Sequence, residues 1–196
     1  HAEETPRSNI GRLNGLQLWI ALPDAHRHVA PSFQPVAEVP QIERTGGVAQ
    51  LFMGEMEGVR SPADAYSDGI GADLTVHRGE TLTMPARANR EHALFVMDGD
   101  ASFEDQPLTR NTLYYLGTDR TELALRSNSG ARVLLLGGVP FAERIFMWWN
   151  FVARTAEEMA AAREDWEQGR FGDVPYDGPR IPAPPLARFA PANPAS

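Results

Sequence analysis

His92-Ala93-Leu94-Phe95-Val96-Met97-Asp98-Gly99-Asp100 is the stretch that decides the fold. Its apolar run is strand-length and stops at Asp98-Gly99, where glycine supplies the positive φ that a tight hairpin turn demands. The same unit recurs on both sides. Residues 48–53, 72–76, 81–84, 112–116, 122–125 and 132–136 are short apolar runs. Gly46-Gly47, Ser67-Asp68-Gly69 and Ser127-Asn128-Ser129-Gly130 are turn signals between them. Short strands at this spacing predict an all-β body over residues 48–147, built as a sandwich or barrel.

Upstream, Leu16-Gln17-Leu18-Trp19-Ile20-Ala21-Leu22 is stopped by Pro23-Asp24. Leu16, Leu18 and Ile20 alternate with Gln17 and Trp19, which predicts a strand with two covered faces. Pro31, Pro35 and Pro40 then mark an extended connector, since proline cannot donate to a ladder. Downstream, the sequence predicts one helix over residues 156–168. Thr155 is its cap, Glu158 completes a capping box, and Gly169 stands where a terminating glycine belongs. Met159, Ala162, Arg163 and Trp166 form one stripe on it. Residues 173–196 hold seven of the sixteen prolines, and Ile181-Pro182-Ala183-Pro184-Pro185-Leu186 is expected to be extended.

Composition excludes several chemistries. The 196 residues carry a net charge of −8 and contain no cysteine and no lysine. Disulfides, a cysteine nucleophile and thiolate zinc sites are thereby out. So are a Walker phosphate loop and a lysine Schiff base. The acidic balance argues against a nucleic-acid surface. No apolar run approaches the roughly 20 residues that span a bilayer. With no basic–apolar leader, the expected compartment is the cytoplasm.

Five histidines carry the candidate chemistry. His1-Ala2-Glu3 places an imidazole and a carboxylate two residues apart, the same face of a strand, where both could reach one metal. Taken alone, a frayed terminal residue is the plainer reading. His26-Arg27-His28 reads as a solvated loop and His77 as a surface turn. His92 reads as a pocket-lining or hydrogen-bonded polar residue, because Leu94 stands where a second metal-binding histidine would be and no histidine follows. Glu55 and Glu57 could do acid–base work only inside a pocket, and a solvated turn around Gly54 and Gly58 is the expectation. Trp148-Trp149-Asn150-Phe151 is read as strand residues with alternating apolar contacts rather than as a stacking platform.

Several of these segments resemble the pirin family of bicupins, especially its bacterial, quercetin 2,3-dioxygenase-like branch. They are His1-Ala2-Glu3, Gly15 through Pro23, Phe95 through Gly99, Gly137-Gly138-Val139-Pro140 and Met147-Trp148-Trp149-Asn150-Phe151-Val152. Arg163-Glu164-Asp165-Trp166 and Arg180-Ile181-Pro182-Ala183-Pro184-Pro185 complete the likeness, which resembles the C-terminal two-thirds of a pirin. The resemblance implies residues 1–35 as closing strands of an N-terminal cupin barrel plus a connector. It implies residues 36–150 as a C-terminal, jelly-roll cupin barrel, and residues 151–196 as a helix and proline-rich tail. In the family an iron is held by three histidines and a glutamate. His1 and Glu3 match the last two of these ligands, half of a site whose His-x-His half this sequence lacks.

The resemblance further implies either an iron-dependent quercetinase acting on a flavonol-like small molecule or a non-catalytic, metal-responsive binding module. Chelation of adjacent flavonol oxygens beside activated O₂ suits an open iron site. With two ligands alone, this chain is expected to hold little or no iron. Without a partner barrel, Leu16, Leu18, Trp19 and Ile20 are expected to drive association into a homo-oligomer, which light scattering checks.

Overall fold

The computed structural model describes residue 11, residues 15–173 and residues 180–186. Its contacts group into two units, Leu22–Pro140 and a second made of His1–Ala21 with Phe141–Ser196. In the first, the strands are β1 (Gln41–Arg44), β2 (Gly47–Met53), β3 (Glu55–Met56), β4 (Val59–Arg60), β5 (Gly69–Val76) and β6 (Thr81–Pro85). They continue with β7 (Glu91–Gly99), β8 (Ala101–Phe103), β9 (Gln106–Leu108), β10 (Leu113–Gly117), β11 (Glu122–Arg126) and β12 (Ala131–Gly138).

Period-two alternation builds the core. Along β7, His92, Leu94 and Val96 are buried while their neighbours are only partly so. Leu82 and Met84 on β6 and Leu123 and Leu125 on β11 do the same from the other side. The result is a six-stranded antiparallel sheet, ordered β1-β2-β5-β12-β7-β10, and a four-stranded sheet, ordered β6-β11-β8-β9. Their inner faces share one apolar core that includes Leu51, Leu74, Leu94, Leu123, Leu125 and Leu135. This is a jelly roll, the architecture the family resemblance implies and one within the sandwich-or-barrel class that the strand spacing predicts. It is held by two packed sheets rather than by a ladder closed all the way round, which is how double-sheet jelly rolls manage their edges.

The turns are fixed by local chemistry. Gly99 adopts φ +78, and a Cβ there would sit 2.0 Å from the Gly130 carbonyl oxygen, so only glycine fits. Beside it, Asp100 organises the turn at residues 127–130. Its carboxylate accepts from the backbone N–H of Asn128 at 3.1 Å and of Ser129 at 2.9 Å, and from the Ser127 hydroxyl at 3.3 Å. The Ser129 hydroxyl donates to it as well. Those donors, the Ser129 side chain foremost, hold the Asp100 carboxyl at about 2, below its ordinary 3.8. The ionised form is therefore favoured in the folded state, and its stabilising effect is full above pH 3.8 and lost as pH falls through about 2. Asp100→Ala should lower the thermal midpoint at pH 7, and the gap from the unmodified chain should close below pH 2. A gap independent of pH would show that charge at Asp100 is not the cause.

In the second unit, β13 (Phe146–Trp148) and β14 (Phe151–Ala153) form a hairpin, followed by α1 (Ala156–Glu167). The Trp-Trp-Asn-Phe stretch is thus not one continuous strand, contrary to the expectation. Trp149 and Asn150 are the turn, with Trp149 at φ +49, because a two-residue hairpin loop needs a left-handed first residue. Thr155 caps α1 by accepting from Glu158 N–H at 3.1 Å. Glu158 completes the box one residue early, accepting from Arg154 N–H at 2.8 Å. Gly169 takes φ +70 as the helix stops. Met159 is buried beside Phe151 and Ala153, with Trp149 and Trp166 packed on them. The proline-rich segment at residues 180–186 is extended and tied to α1. Trp166 Nε1–H donates to the Ile181 carbonyl at 2.7 Å, Arg163 Nε–H to the Pro184 carbonyl at 2.8 Å, and Glu167 accepts from Ala183 N–H at 2.7 Å.

Residues 16–22 are not a strand. Leu16, Leu18, Trp19 and Ile20 are exposed, and no ladder is assigned to the run. Alternation marks a segment able to lie in a sheet, but a strand exists only where a neighbour completes its hydrogen bonds.

Candidate functional site

Five features converge on one cavity of about 90 Å³ in the jelly-roll unit, lined among others by Glu55, Glu57, Arg87, Arg90 and His92. Each is placed by its element. His92 is the first inward residue of β7. Arg90 immediately precedes that strand, in a turn closed by its own N–H donating to the Arg87 carbonyl at 2.9 Å. Glu55 and Glu57 come from the small hairpin of β3 and β4, whose ladder pairs Glu55 with Arg60.

The imidazole sits deep because the opposite strand makes room. His92 pairs in register with Gly137 of β12, where a Cβ would stand 3.1 Å from the His92 ring and 2.6 Å from the Glu91 carbonyl oxygen. His92 is 2% exposed and its Nδ1 has no hydrogen-bond partner. Burial, with smaller contributions from Arg90 and Arg120, pushes its pKa below the ordinary histidine value, so the ring is neutral at pH 7.

Arg90 is 4% exposed and donates through Nη2 to Asp68, while its Nε–H is buried without a partner. Arg87 also faces Asp68, at 3.7 Å. The two glutamates are held from outside: Glu57 by Arg44, and Glu55 by Arg60 at 3.7 Å. At the start of β7, the exposed Tyr115 hydroxyl donates to Glu91 at 2.7 Å.

The sequence-derived candidates are distributed as follows. His92 does line a pocket, but its Nδ1 is not hydrogen-bonded to the protein. Glu55 and Glu57 lie on the solvent-exposed β3–β4 hairpin, with Glu57 in its turn, as the solvated-turn reading expects, and this hairpin also borders the cavity lined by His92. His26 and His28 lie in an exposed turn, with the His26 ring 5.4 Å from Tyr66, and His77 is exposed. His1 and Glu3 lie outside the described residues. Arg87 and Arg90 were missed. The signal available was Arg87-Ala88-Asn89-Arg90 ending two residues before an inward histidine, but only folding shows that the second arginine is buried.

These residues do not make a metal centre. One imidazole, Leu94 fully buried two residues on, and two carboxylates engaged by arginines are a poor donor set. Among the described residues, no group of three or more histidine, aspartate or glutamate side chains could hold a metal ion. No helix among them is long and apolar enough to cross a membrane.

Comparison with known proteins places this geometry. The model described as the pirin C-terminal cupin domain matches residues 71–172, about half of the chain. A Pseudomonas aeruginosa protein named "putative quercetin 2,3-dioxygenase" is 41% identical over 87% of the chain and 55% of its own length. A Caulobacter vibrioides "pirin-like protein" is 31% identical over 94% of the chain and 65% of its own length. The crystal structure of a quercetin 2,3-dioxygenase from Acinetobacter baumannii superposes with a TM-score of 0.81 at 35% identity. It is matched over 87% of this chain and 59% of that one. The chain thus spans less than two thirds of the length of each of these relatives.

Proposed function

The chain belongs to the pirin family, and from that premise we propose that it serves a metal-dependent dioxygenase of the quercetinase type. The observation that carries this reading is the similarity, in both sequence and fold, to the Acinetobacter quercetin 2,3-dioxygenase. Under this reading the jelly-roll unit described above is not where oxygen chemistry occurs, because its donor set does not suit iron. His1 and Glu3 are assigned to the metal, completed by ligands from elsewhere in the protein. A bound iron would supply chelation of the flavonol and activation of O₂.

Oxygen uptake by the full-length, Fe²⁺-loaded protein with quercetin tests the proposal. Quercetin-dependent uptake should occur and fall by at least about 10–100-fold in Glu3→Ala, since losing a metal ligand costs no less than losing a group that supports one. No uptake by fully loaded protein would overturn the enzyme reading in favour of a metal-responsive binding module. Uptake unchanged in Glu3→Ala would remove Glu3 from the metal.

A further inference from the structure

The arm at residues 180–186 is held on α1 chiefly through the arm's own backbone. The Trp166 indole N–H and the Arg163 Nε–H donate to the carbonyls of Ile181 and Pro184, and Glu167 accepts from the Ala183 N–H. Pro182, Pro184 and Pro185 fix the backbone of the arm beforehand, so docking it orders few further dihedrals. An aromatic N–H and a guanidinium set to meet the carbonyls of a stiff, extended segment are the means by which proline-rich ligands are read.

Two features make the match selective. Ala183 is 6% exposed, so the position between Pro182 and Pro184 has room for a small side chain only. The last turn of α1 has no basic residue, although helix C-termini attract cations. Arg180 of the arm brings the missing charge. Its guanidinium donates to the Trp166 carbonyl, meets Glu167 at 3.1 Å and lies over the Trp166 ring at 5.8 Å.

The arm is nonetheless a light clasp. Ile181 and Leu186 are 67% and 42% exposed, so little apolar surface holds it down. Ten residues separate Gly169 from Arg180. A surface segment tied by a few exposed hydrogen bonds opens locally at far lower cost than the helix beneath it. The complement of the vacated surface is present on every other copy of the chain.

We propose that the α1 face made by Arg163, Trp166 and Glu167 is a recognition site for an extended Arg-Ile-Pro-Ala-Pro-Pro segment, filled at rest by the chain's own arm and open to the same arm of a second copy. Exchange of this kind joins two chains through contacts that each already makes within itself. The site is separate from the metal-dependent activity.

A synthetic peptide of residues 180–186 is the first probe, added to the full-length protein with the Trp166 indole N–H resonance as readout. In Ala183→Asp that resonance should move, because a carboxylate buried beside Glu167 releases the arm, and it should return saturably as the peptide is added. A peptide carrying the same substitution should bind at least about tenfold more weakly. So should the unmodified peptide to the unmodified protein, whose tethered arm competes at high effective concentration. An indole resonance unmoved by Ala183→Asp, or one that the peptide does not restore, would overturn the site. Equal binding of the two peptides would overturn its selectivity. The second probe is a mixture of Ala183→Asp with Trp166→Phe, which puts an intact site and an intact arm on different molecules. Sedimentation should show more dimer in the mixture than in either variant alone. A mixture no more dimeric than its components would overturn the second copy as the partner.

Discussion

Leu94→Ala should destabilise the jelly-roll unit by about 3 kcal/mol, within the usual range for removing a fully buried leucine. Leu94 is fully buried at the centre of β7, in register with Leu135 of β12 on one side and Tyr114 of β10 on the other. Both neighbouring strands are held by the ladder, so the surrounding backbone has little freedom to collapse into the space left. The loss combines the transfer free energy of the missing carbons with a cavity term. A thermal midpoint lowered by about 10 °C is the matching observation for a unit of this size. Leu94→Met nearly conserves volume and should cost less than about 1.5 kcal/mol. If alanine and methionine cost the same, Leu94 is not packed between the sheets as described.

Trp166→Ala should have a comparable effect on the second unit, about 3 kcal/mol, the lower end for truncating a packed tryptophan. Trp166 joins two sets of contacts. Its ring meets Trp149 edge-on at 5.2 Å and Phe171 at 6.0 Å, while Phe151 and Phe171 stack at 5.7 Å. Its indole N–H holds the Ile181 carbonyl, and Arg180 lies over its face at 5.8 Å. Alanine removes the aromatic contact and one tether of the extended segment together. Trp166→Phe keeps an aromatic ring but loses the donor, so it should cost about 1 kcal/mol for the hydrogen bond, beyond any packing lost with the smaller ring. Amide exchange of α1 and residues 180–186 reads both. Faster exchange in alanine confined to residues 180–186, with α1 unchanged, would show that the ring does not support the helix.

The contrast between correct and incorrect expectations has a physical pattern. Residues 92–97 were readable as a strand because alternate side chains are buried up to the turn at Asp98-Gly99, and residues 132–136 because a short apolar run, with Val133, Leu134 and Leu135 all buried, follows a turn signal. Helix α1 was readable because its cap and terminating glycine are local signals. Residues 16–22 carry an equally good alternation and form no strand. Their pattern reports an apolar capacity, and the neighbour that would use it is not encoded within the run. The hairpin at Trp149 was hidden for a related reason: a bulky residue at positive φ contradicts its own preference, and the contacts of β13 with β14 override it.

The site divides in the same way. His92 was legible as an inward residue from the period of its strand, and Leu94 signalled at once that a metal pair was missing. That Arg90 is buried, that Glu55 and Glu57 fold over the same cavity, and that Gly137 gives His92 its space were not legible. Each depends on residues far apart in the chain meeting across strands.

The sequence alone determined which segments are apolar, where they alternate, where they must turn, and which chemistries are impossible without lysine or cysteine. Those properties are local: they follow from side-chain period, backbone permissiveness at glycine, and composition. The tertiary structure alone decided which buried polar atoms lack partners and which charges are cancelled. Pairing energy depends on distances between strands that the order of residues along a chain does not contain.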